Sequence, residues 1–316
     1  MSGAAHTLWH LLWRGGVVVL VAALLVMAPA HRASGFLLDI LICEMDRLTE
    51  YCLAKELLEH ADAMEAGIQH DLAVVYSFAA WNFSAQGQEE RDFRAPSPSA
   101  FADRMDDRQA SRVIWAINRI LHQDDTERGL EHLGNIRHHV PRMIAYPMVL
   151  EAMRQAGVTD EAETLFASFE TEIAELPSEP ARIFGYGELA WSAARAGYNE
   201  IAERAIEEAM AVISRHPSED FQLAMAADLV ATEHHVRGEA DGAARLDEAL
   251  AALERQTRIP DTIRAETLAR IARAYGRMDM QEQARSLAQQ ALTLMATLPA
   301  DRQVRVYAVL VFSGIY

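Results

Sequence analysis

The chain has 316 residues, of which 51% are hydrophobic, and its formal net charge is −17. The length allows a large hydrophobic core. Only one lysine, Lys55, accompanies 28 arginines, and no basic stripe follows a helix as a nucleic-acid groove requires, so we expect no nucleic-acid partner. Alanine is abundant, while glycine, proline and β-branched runs are sparse, which predicts an all-α protein.

The first 30 residues have the pattern of an export signal. Arg14 precedes an apolar run of 14 residues at 15–28, and the sequence Ala-Pro-Ala at 28–30 supplies the small residues that signal peptidase recognises. A membrane-spanning helix needs about 20 apolar residues, so the pattern favours cleavage after Ala30. Residues 8–13 lengthen the run if Arg14 is tolerated, which leaves a retained anchor open. Residues 1–30 are therefore predicted to be a signal peptide, or else an N-terminal membrane anchor.

Residues 31–100 predict a helical cap that ends in a Pro/Ser-rich loop. The amphipathic stretch 37–66 and the aromatic-rich stretch 72–83 predict two helices. Pro96 and Pro98 stand two residues apart and cannot both lie inside a helix, so a loop is expected around them. Terminal units of repeat arrays are normally atypical, and a cap is the expected role of this segment.

Cys43 and Cys52 are the only cysteines. Nine residues of straight helix separate their Cα atoms by about 13 Å, which is too far for a disulfide. A bridge therefore requires a turn near residues 47–50. Export favours a bridge, whereas the continuous helical pattern favours two packed thiols, and both alternatives stay open.

A helical-hairpin pattern recurs four times between Ala145 and Pro299. Each copy has an Ala-rich apolar run, a tight turn, a short acidic stretch, and a second run that ends before a proline. The turn residues, at intervals of 40, 41 and 41, are Gly157, Gly197, Gly238 and Asp279; the early small residues of the second runs are Ala162, Ala202, Ala243 and Ala284; the closing prolines are Pro177, Pro217, Pro260 and Pro299. Such a period is typical of a stacked array, in which neighbouring units bury each other's apolar faces.

The pattern extends beyond these four copies in both directions. Residues 110–140 form a degenerate unit, with Asp124 and Asp125 at the turn, Gly129 at the small position and Pro141 closing it. Residues 301–316 resemble a first helix without its second, although their β-branched content also suits a strand. An unfinished hairpin leaves an apolar flank, which either folds back or serves as a contact surface. We thus expect 101–316 to be a repeat array with a C-terminal half-repeat.

Two units carry a resemblance to a known family. LAWSAARAGYNEIAERAIEEAM and LARIARAYGRMDMQEQARSLAQQAL resemble tetratricopeptide repeats (TPRs) in their Leu-Ala start, their turn, and the alanines early and late in the second helix. The period is nearer 40 than the about 34 of that family, and Ala193 stands where a large aromatic residue is expected. The resemblance implies an α-solenoid, a right-handed superhelix with a concave groove for peptides or partner proteins, and no chemistry.

The sequence contains none of the common catalytic motifs. It has no Gly-rich phosphate loop, HExxH, CxxC or serine elbow. Neighbouring histidines, such as His234 and His235, point about 100° apart on a helix and are poorly placed to chelate one metal. We therefore expect no catalysis, no cofactor and no metal site. An enzyme using acids with His60 or His70, in residues 36–100, is the least favoured alternative.

An arginine stands near the end of the first helix in each unit. These residues, at intervals of 41, 42 and 40, are Arg154, Arg195, Arg237 and Arg277. Stacking would align them in a row that can hold carboxylates, and with the aromatic side chains of Phe184 and Trp191 they are our candidate ligand groove. The favoured alternative for the arginines is pairing with nearby acids or with the helix dipole, and for the aromatics it is core packing.

The function expected from these patterns is that of an exported, non-catalytic repeat scaffold that binds a protein or an extended peptide. Its location would be periplasmic or secreted. The acidic surface favours basic partners, and the arginine row favours partners that bear carboxylates. The alternative is a membrane-anchored assembly or envelope-maintenance factor facing the periplasm. A membrane contact is expected only if the N-terminal segment is retained.

Overall fold

The structure is a computed structural model that describes residues 43, 48, 50–62, 68–83, 108–137, 139–238 and 241–311. The expected signal peptide or anchor and the Pro/Ser-rich loop lie outside these ranges. The chain divides into two compact units, Met1–Arg47 and Leu48–Tyr316. In the first unit only Cys43 is described, so the architecture given below is that of the second unit.

The described residues of the second unit are almost entirely helical. The helices are α1 (Glu50–Asp62), α2 (Ile68–Phe83), α3 (Arg108–Gln123), α4 (Thr126–Gly134), α5 (His139–Ala156), α6 (Ala162–Ala174), α7 (Glu179–Arg195), α8 (Asn199–Ile213), α9 (Glu219–Arg237), α10 (Gly242–Arg255), α11 (Asp261–Arg277), α12 (Gln281–Met295) and α13 (Ala300–Val311). The last of these settles one open choice, because residues 300–311 form a helix and not a strand.

Helices that follow one another pack as hairpins, and the hairpins stack in chain order. The pairs are α1/α2, α3/α4, α5/α6, α7/α8, α9/α10 and α11/α12, and from α3 onward the first helix of each pair contacts the first helix of the next. This order of contacts confirms the predicted all-α architecture, an α-solenoid of TPR-like hairpins. The buried face is contributed by every unit, so the core runs continuously through the stack.

The tight turns form at the positions that the repeat pattern predicts. Gly157, Gly197, Gly238 and Asp279 all have positive φ angles, at 73°, 85°, 67° and 60°, and Asp124 of the degenerate unit has 50°. After Gly157, Gly197 and Asp279, the next residue donates its N–H five residues back, as in Tyr198 N to Ala193 O at 2.9 Å. This bond is the Schellman closure of a helix end, which requires a left-handed residue.

The small position of the third regular unit is Gly242, and the expectation of Ala243 was wrong. Gly242 is buried at the start of α10, as Ala162, Ala202 and Ala284 are in the equivalent helices, whereas Ala243 is only partly buried. A Cβ on Gly242 would lie 2.6 Å from Met278 Cε. The buried small residue follows Gly238 by four positions, whereas it follows the turn residue of the other units by five, and one residue rotates the helix face by about 100°.

The last helix packs against the first hairpin and closes the array into a ring. Helix α13 contacts α11 and α12 on one side and α1 and α2 on the other, while α2 also contacts α3. His60 Nε2 lies 2.7 Å from Gln303 Oε1, and the rings of His60 and Tyr307 are 5.0 Å apart. Tyr307 also donates a hydrogen bond to Glu56. The apolar flank expected at the C-terminal end is therefore covered by the N-terminal hairpin.

Two further expectations concern the cysteines and the membrane. Cys43 and Cys52 are both disulfide-bonded, which resolves the alternative that the sequence left open. None of the helices α1–α13 combines the length and the apolar character that a membrane crossing needs.

Candidate ligand-binding face of the repeat array

Buried charges gather where the first helices of three hairpins meet. Glu188 lies on α7, Asp228 on α9, and the remaining members on α11 are Glu266, Arg270, Arg273 and Arg277. The α11 residues follow one another at spacings of four, three and four, so they form one stripe along the helix. We call these six residues the arginine–carboxylate cluster.

The cluster is held by short ion pairs between different hairpins. Arg270 lies 2.7 Å from Asp228 and 2.9 Å from Glu266. Arg273 lies 2.8 Å from both Asp228 and Glu188, and its side chain is only 4% exposed. Buried ion pairs thus connect three consecutive hairpins. Removing one partner from such a set strongly lowers the stability of the fold.

Two aromatic rings of α7 lie against the outer guanidiniums of the cluster. Phe184, Glu188 and Trp191 are spaced by four and three residues and share one face of the helix. The guanidinium carbon of Arg270 is 5.3 Å from the centre of the Phe184 ring, and that of Arg277 is 4.4 Å from the Trp191 ring. Both are cation–π distances. Phe184 and Trp191 are partly buried, so they neither sit wholly in the core nor project freely.

The pKa shifts differ between the groups in and around the cluster. Burial alone would raise the pKa of Asp228, but the charges of Arg273 and Arg270 lower it to about 2. Burial and the neighbouring Arg273 lower the pKa of Arg277 to about 9. Burial, with the charge of Glu188, raises the pKa of Tyr76 on α2. Helix α2 therefore brings a phenol close to charges on α7 and α11, because the inner helix faces converge.

Arg154 and Arg195 are joined through one carboxylate. Arg154 donates to Glu151 at 2.7 and 2.9 Å on its own helix, and Arg195 lies 3.2 Å from the same carboxylate. Burial of Glu151 alone would raise its pKa, but the hydrogen bond from Arg154 and the charge of Arg195 lower it. The two arginines remain exposed and form a continuous surface from α5 to α7.

Arg237 pairs with carboxylates on two helices. Its guanidinium is 3.6 Å from Glu233 on its own helix and 3.9 Å from Glu203 on α8, a second helix. The carboxylate partners of Arg154, Arg195 and Arg277 all lie on first helices. Arg237 follows Arg195 by 42 residues instead of 40 or 41, and one or two residues turn a side chain to another helix face.

Three histidines of the described helices lie in contact with, or close to, other side chains. His235 stands edge-on to Trp191, with ring centres 5.8 Å apart. Burial and the charges of Arg119 and Arg112 lower the pKa of His132. His60 has its Nδ1 2.7 Å from Glu56 O and packs in the ring closure. No group of three or more potential metal ligands occurs among the described residues.

The sequence patterns indicated residues at the edge of the arginine–carboxylate cluster but not the charged residues at its centre. Phe184, Trp191 and Arg277 were candidates, but the charged residues that they surround were not: Glu188, Asp228, Glu266, Arg270 and Arg273. A usable signal existed, because Glu188, Asp228 and Arg270 stand one repeat apart at intervals of 40 and 42. Charged residues at an otherwise apolar repeat position are a sign of a buried ion pair.

Comparison with known proteins adds one likeness. No protein-family model matches the chain, and no curated protein matches it either. A crystal structure of a variant with nearly identical TPR-like repeats, from a protein assigned as a kinesin light chain of Podosopora anserina, is similar with 21% identity and a TM-score of 0.32. It covers 64% of this chain and 98% of its own. The packing of hairpins in chain order, independently of that likeness, gives this chain a TPR-like helical-repeat fold.

Proposed function

We propose that this protein is an exported, non-catalytic scaffold that binds another protein or an extended peptide through its first helices. The observation that carries the proposal is the surface built by Arg154, Glu151 and Arg195, which passes from one hairpin to the next. Trp191 and Arg277 continue this surface toward the buried cluster. A surface that spans several hairpins suits an extended ligand, which can contact each unit in turn.

Charge favours two kinds of group on the partner. The net charge of −17 attracts basic proteins at long range. At the candidate groove itself the arginines Arg154, Arg195 and Arg277 favour carboxylates, which can be held by two parallel hydrogen bonds. A partner with a basic body and an acidic contact segment satisfies both preferences.

Export to the periplasm or the medium is the second part of the proposal. It is supported by Arg14, the apolar run at 15–28 and the small residues at 28–30. In the alternative, residues 1–30 are retained, and the protein is a membrane-anchored assembly or envelope-maintenance factor. N-terminal sequencing of the protein from its native source separates the two, because a mature chain beginning near residue 31 contradicts the anchored form, and an intact Met1 contradicts the cleaved form.

Partner binding is tested by affinity capture from an envelope extract with three baits. The wild-type chain is compared with an Arg154→Glu/Arg195→Glu variant and with Arg204→Glu. Arg204 is the matched control, because it is exposed and pairs with Glu170 of the preceding unit at 3.1 Å, but lies on a second helix.

We expect the wild type and Arg204→Glu to capture the same partner and the double variant to lose it. Loss with Arg204→Glu as well would mean that the charge of the whole chain, and not the groove, holds the partner. Unchanged capture by the double variant would overturn the groove. Absence of any specific partner on the wild-type bait would overturn the scaffold function.

A further inference from the structure

Arg277 is the least well neutralised guanidinium of the arginine–carboxylate cluster. Asp228 and Glu266 both lie within 2.9 Å of Arg270, and Asp228 and Glu188 both lie 2.8 Å from Arg273. Among the described residues, Arg277 has one ion pair, to Glu188 at 3.7 Å. The carboxylates of the cluster therefore lie closer to the other two arginines than to Arg277.

The side chain of Arg277 is nevertheless buried. It is 4% exposed, and its Nε has no hydrogen-bond partner in the part of the chain that the structure describes. A buried donor without an acceptor lowers stability, and more so when it is charged. The described part of the protein thus holds a guanidinium N–H away from water without an acceptor for it.

The surroundings of Arg277 orient this donor and favour an anion. The Trp191 ring covers one face of the guanidinium at 4.4 Å, and the N–H donors lie in the guanidinium plane, away from that stack. Burial opposes the charge of Arg277, as do the charges of Arg273 and Arg195, and together they lower its pKa to about 9. A negative group would offset all three effects.

The site lies close to the surface. The side chain of Arg195 is 38% exposed and its charge acts on Arg277, and the exposed His235 packs against Trp191 with ring centres 5.8 Å apart. Exposed side chains therefore lie beside the Trp191–Arg277 pair.

We propose that Arg277, held against Trp191, binds one carboxylate group in the plane of its guanidinium, with Nε–H as a donor. A planar group with two oxygens fits the fork of donors, whereas a spherical halide can meet only one point of it. The inference deepens the proposed function and rests on it for the source of the carboxylate, which is the acidic group of a bound peptide. A free small carboxylate has the same chemistry and serves as the probe.

The test uses the full chain and sodium acetate. Arginine Nε–Hε correlations are recorded by nuclear magnetic resonance during the titration, and the Arg277 peak is identified by its absence from Arg277→Lys. We expect this peak to shift and to saturate with acetate, since Nε–H gains an acceptor. Sodium chloride at the same ionic strength and acetamide, the neutral analogue, are expected to leave it in place. An equal shift with either control would overturn the proposal.

A second measurement does not depend on that peak. Acetate, relative to chloride, is expected to raise the thermal midpoint of the wild type and of Arg204→Lys, because a ligand stabilises the state that binds it. In Arg277→Met the apparent affinity for acetate is expected to be weaker by about tenfold or more, the equivalent of one lost charge-assisted hydrogen bond. Equal stabilisation of Arg277→Met would contradict the assignment.

The acetate titration and the partner capture together distinguish the carboxylate site from the scaffold function. If acetate acts through Arg277 but no partner is captured, the carboxylate site stands and the scaffold function fails. If a partner is captured but acetate does not shift the Arg277 peak, the scaffold function is supported and the carboxylate site is contradicted. A peptide from a captured partner that shifts the same peak, and loses this effect when its acids are amidated, identifies the peptide as the source.

Discussion

The phenol of Tyr307 in α13 donates a hydrogen bond to the carboxylate of Glu56 in α1, 251 residues earlier in the chain. Val306, Tyr307 and Leu310 of the same helix are at most 1% exposed. An open array normally needs a terminal repeat with a polar outer face. Here the first hairpin covers the last helix, so ring closure takes over the role of that terminal cap.

Closure predicts that the Tyr307 hydroxyl stabilises the whole array. We expect Tyr307→Phe to lower the free energy of unfolding by about 1 kcal/mol, the usual loss for one hydrogen bond, as measured by urea denaturation. Tyr198→Phe is the control, because its hydroxyl donates to Thr159 O at 3.3 Å in an exposed position. A loss no larger than that of Tyr198→Phe would show that this contact does not hold the ring closed.

The buried cluster predicts a large effect of one isosteric change. Asp228→Asn removes the charge shared by Arg270 and Arg273, and we expect a loss of about 3–5 kcal/mol in unfolding free energy, because two guanidiniums stay buried with less compensation. The matched control is Glu170→Gln, which faces Arg204 at 3.1 Å with side chains 30% and 51% exposed. That pair is expected to contribute at most about 1 kcal/mol. Similar losses for the two variants would contradict the buried character of the cluster.

Acid titration should reveal the same carboxylate. The folded pKa of Asp228, about 2, lies below its ordinary value of 3.8, so its ionised form stabilises the fold above pH 3.8, and that contribution is lost as the pH falls toward 2. The difference in unfolding free energy between the wild type and Asp228→Asn should therefore be constant from pH 6 to about 5 and shrink by on the order of 2 kcal/mol toward pH 2. Denaturant unfolding at a series of pH values measures it. If the difference in unfolding free energy does not depend on pH, the arginines do not lower the pKa of Asp228.

The turn geometry predicts that replacing glycine by alanine changes stability in opposite directions at Gly197 and Gly134. Gly197 has φ 85° and open space around its missing Cβ, so Gly197→Ala is expected to cost about 1–2 kcal/mol through backbone strain alone. Gly134, the last residue of α4, also has open space but no positive φ, and Gly134→Ala should be neutral or stabilising by up to about 1 kcal/mol. Thermal or urea denaturation of both variants is the test. A Gly197→Ala protein as stable as the wild type would contradict the left-handed conformation of this turn.

Local features of this fold could be predicted because they depend on short stretches of sequence. Gly157, Gly197, Gly238 and Asp279 mark the turns, since few residues adopt a left-handed conformation and the helix end needs one. The 3.6-residue apolar period on either side marks the helices and their buried faces. The stacking of hairpins follows, because no single hairpin can bury its own face.

The candidate site could be predicted only in part, because helix registers shift between units. Arg154, Arg195 and Arg277 pair with acids on first helices, whereas Arg237 pairs both with Glu233 on its own first helix and with Glu203 on α8. A difference of one residue between repeats is minor in the sequence, yet it moves a side chain by about 100° around its helix. The same effect made Gly242, and not Ala243, the buried small residue.

The sequence by itself determined the helices, their turns and their order, because those follow from backbone preferences and apolar periodicity within about 40 residues. Only the tertiary structure decided that the array closes into a ring and that Arg273 meets both Glu188 and Asp228. These contacts join residues that are 45 to 251 positions apart. They depend on the summed rotation and tilt of every hairpin between them, a quantity that no local pattern encodes.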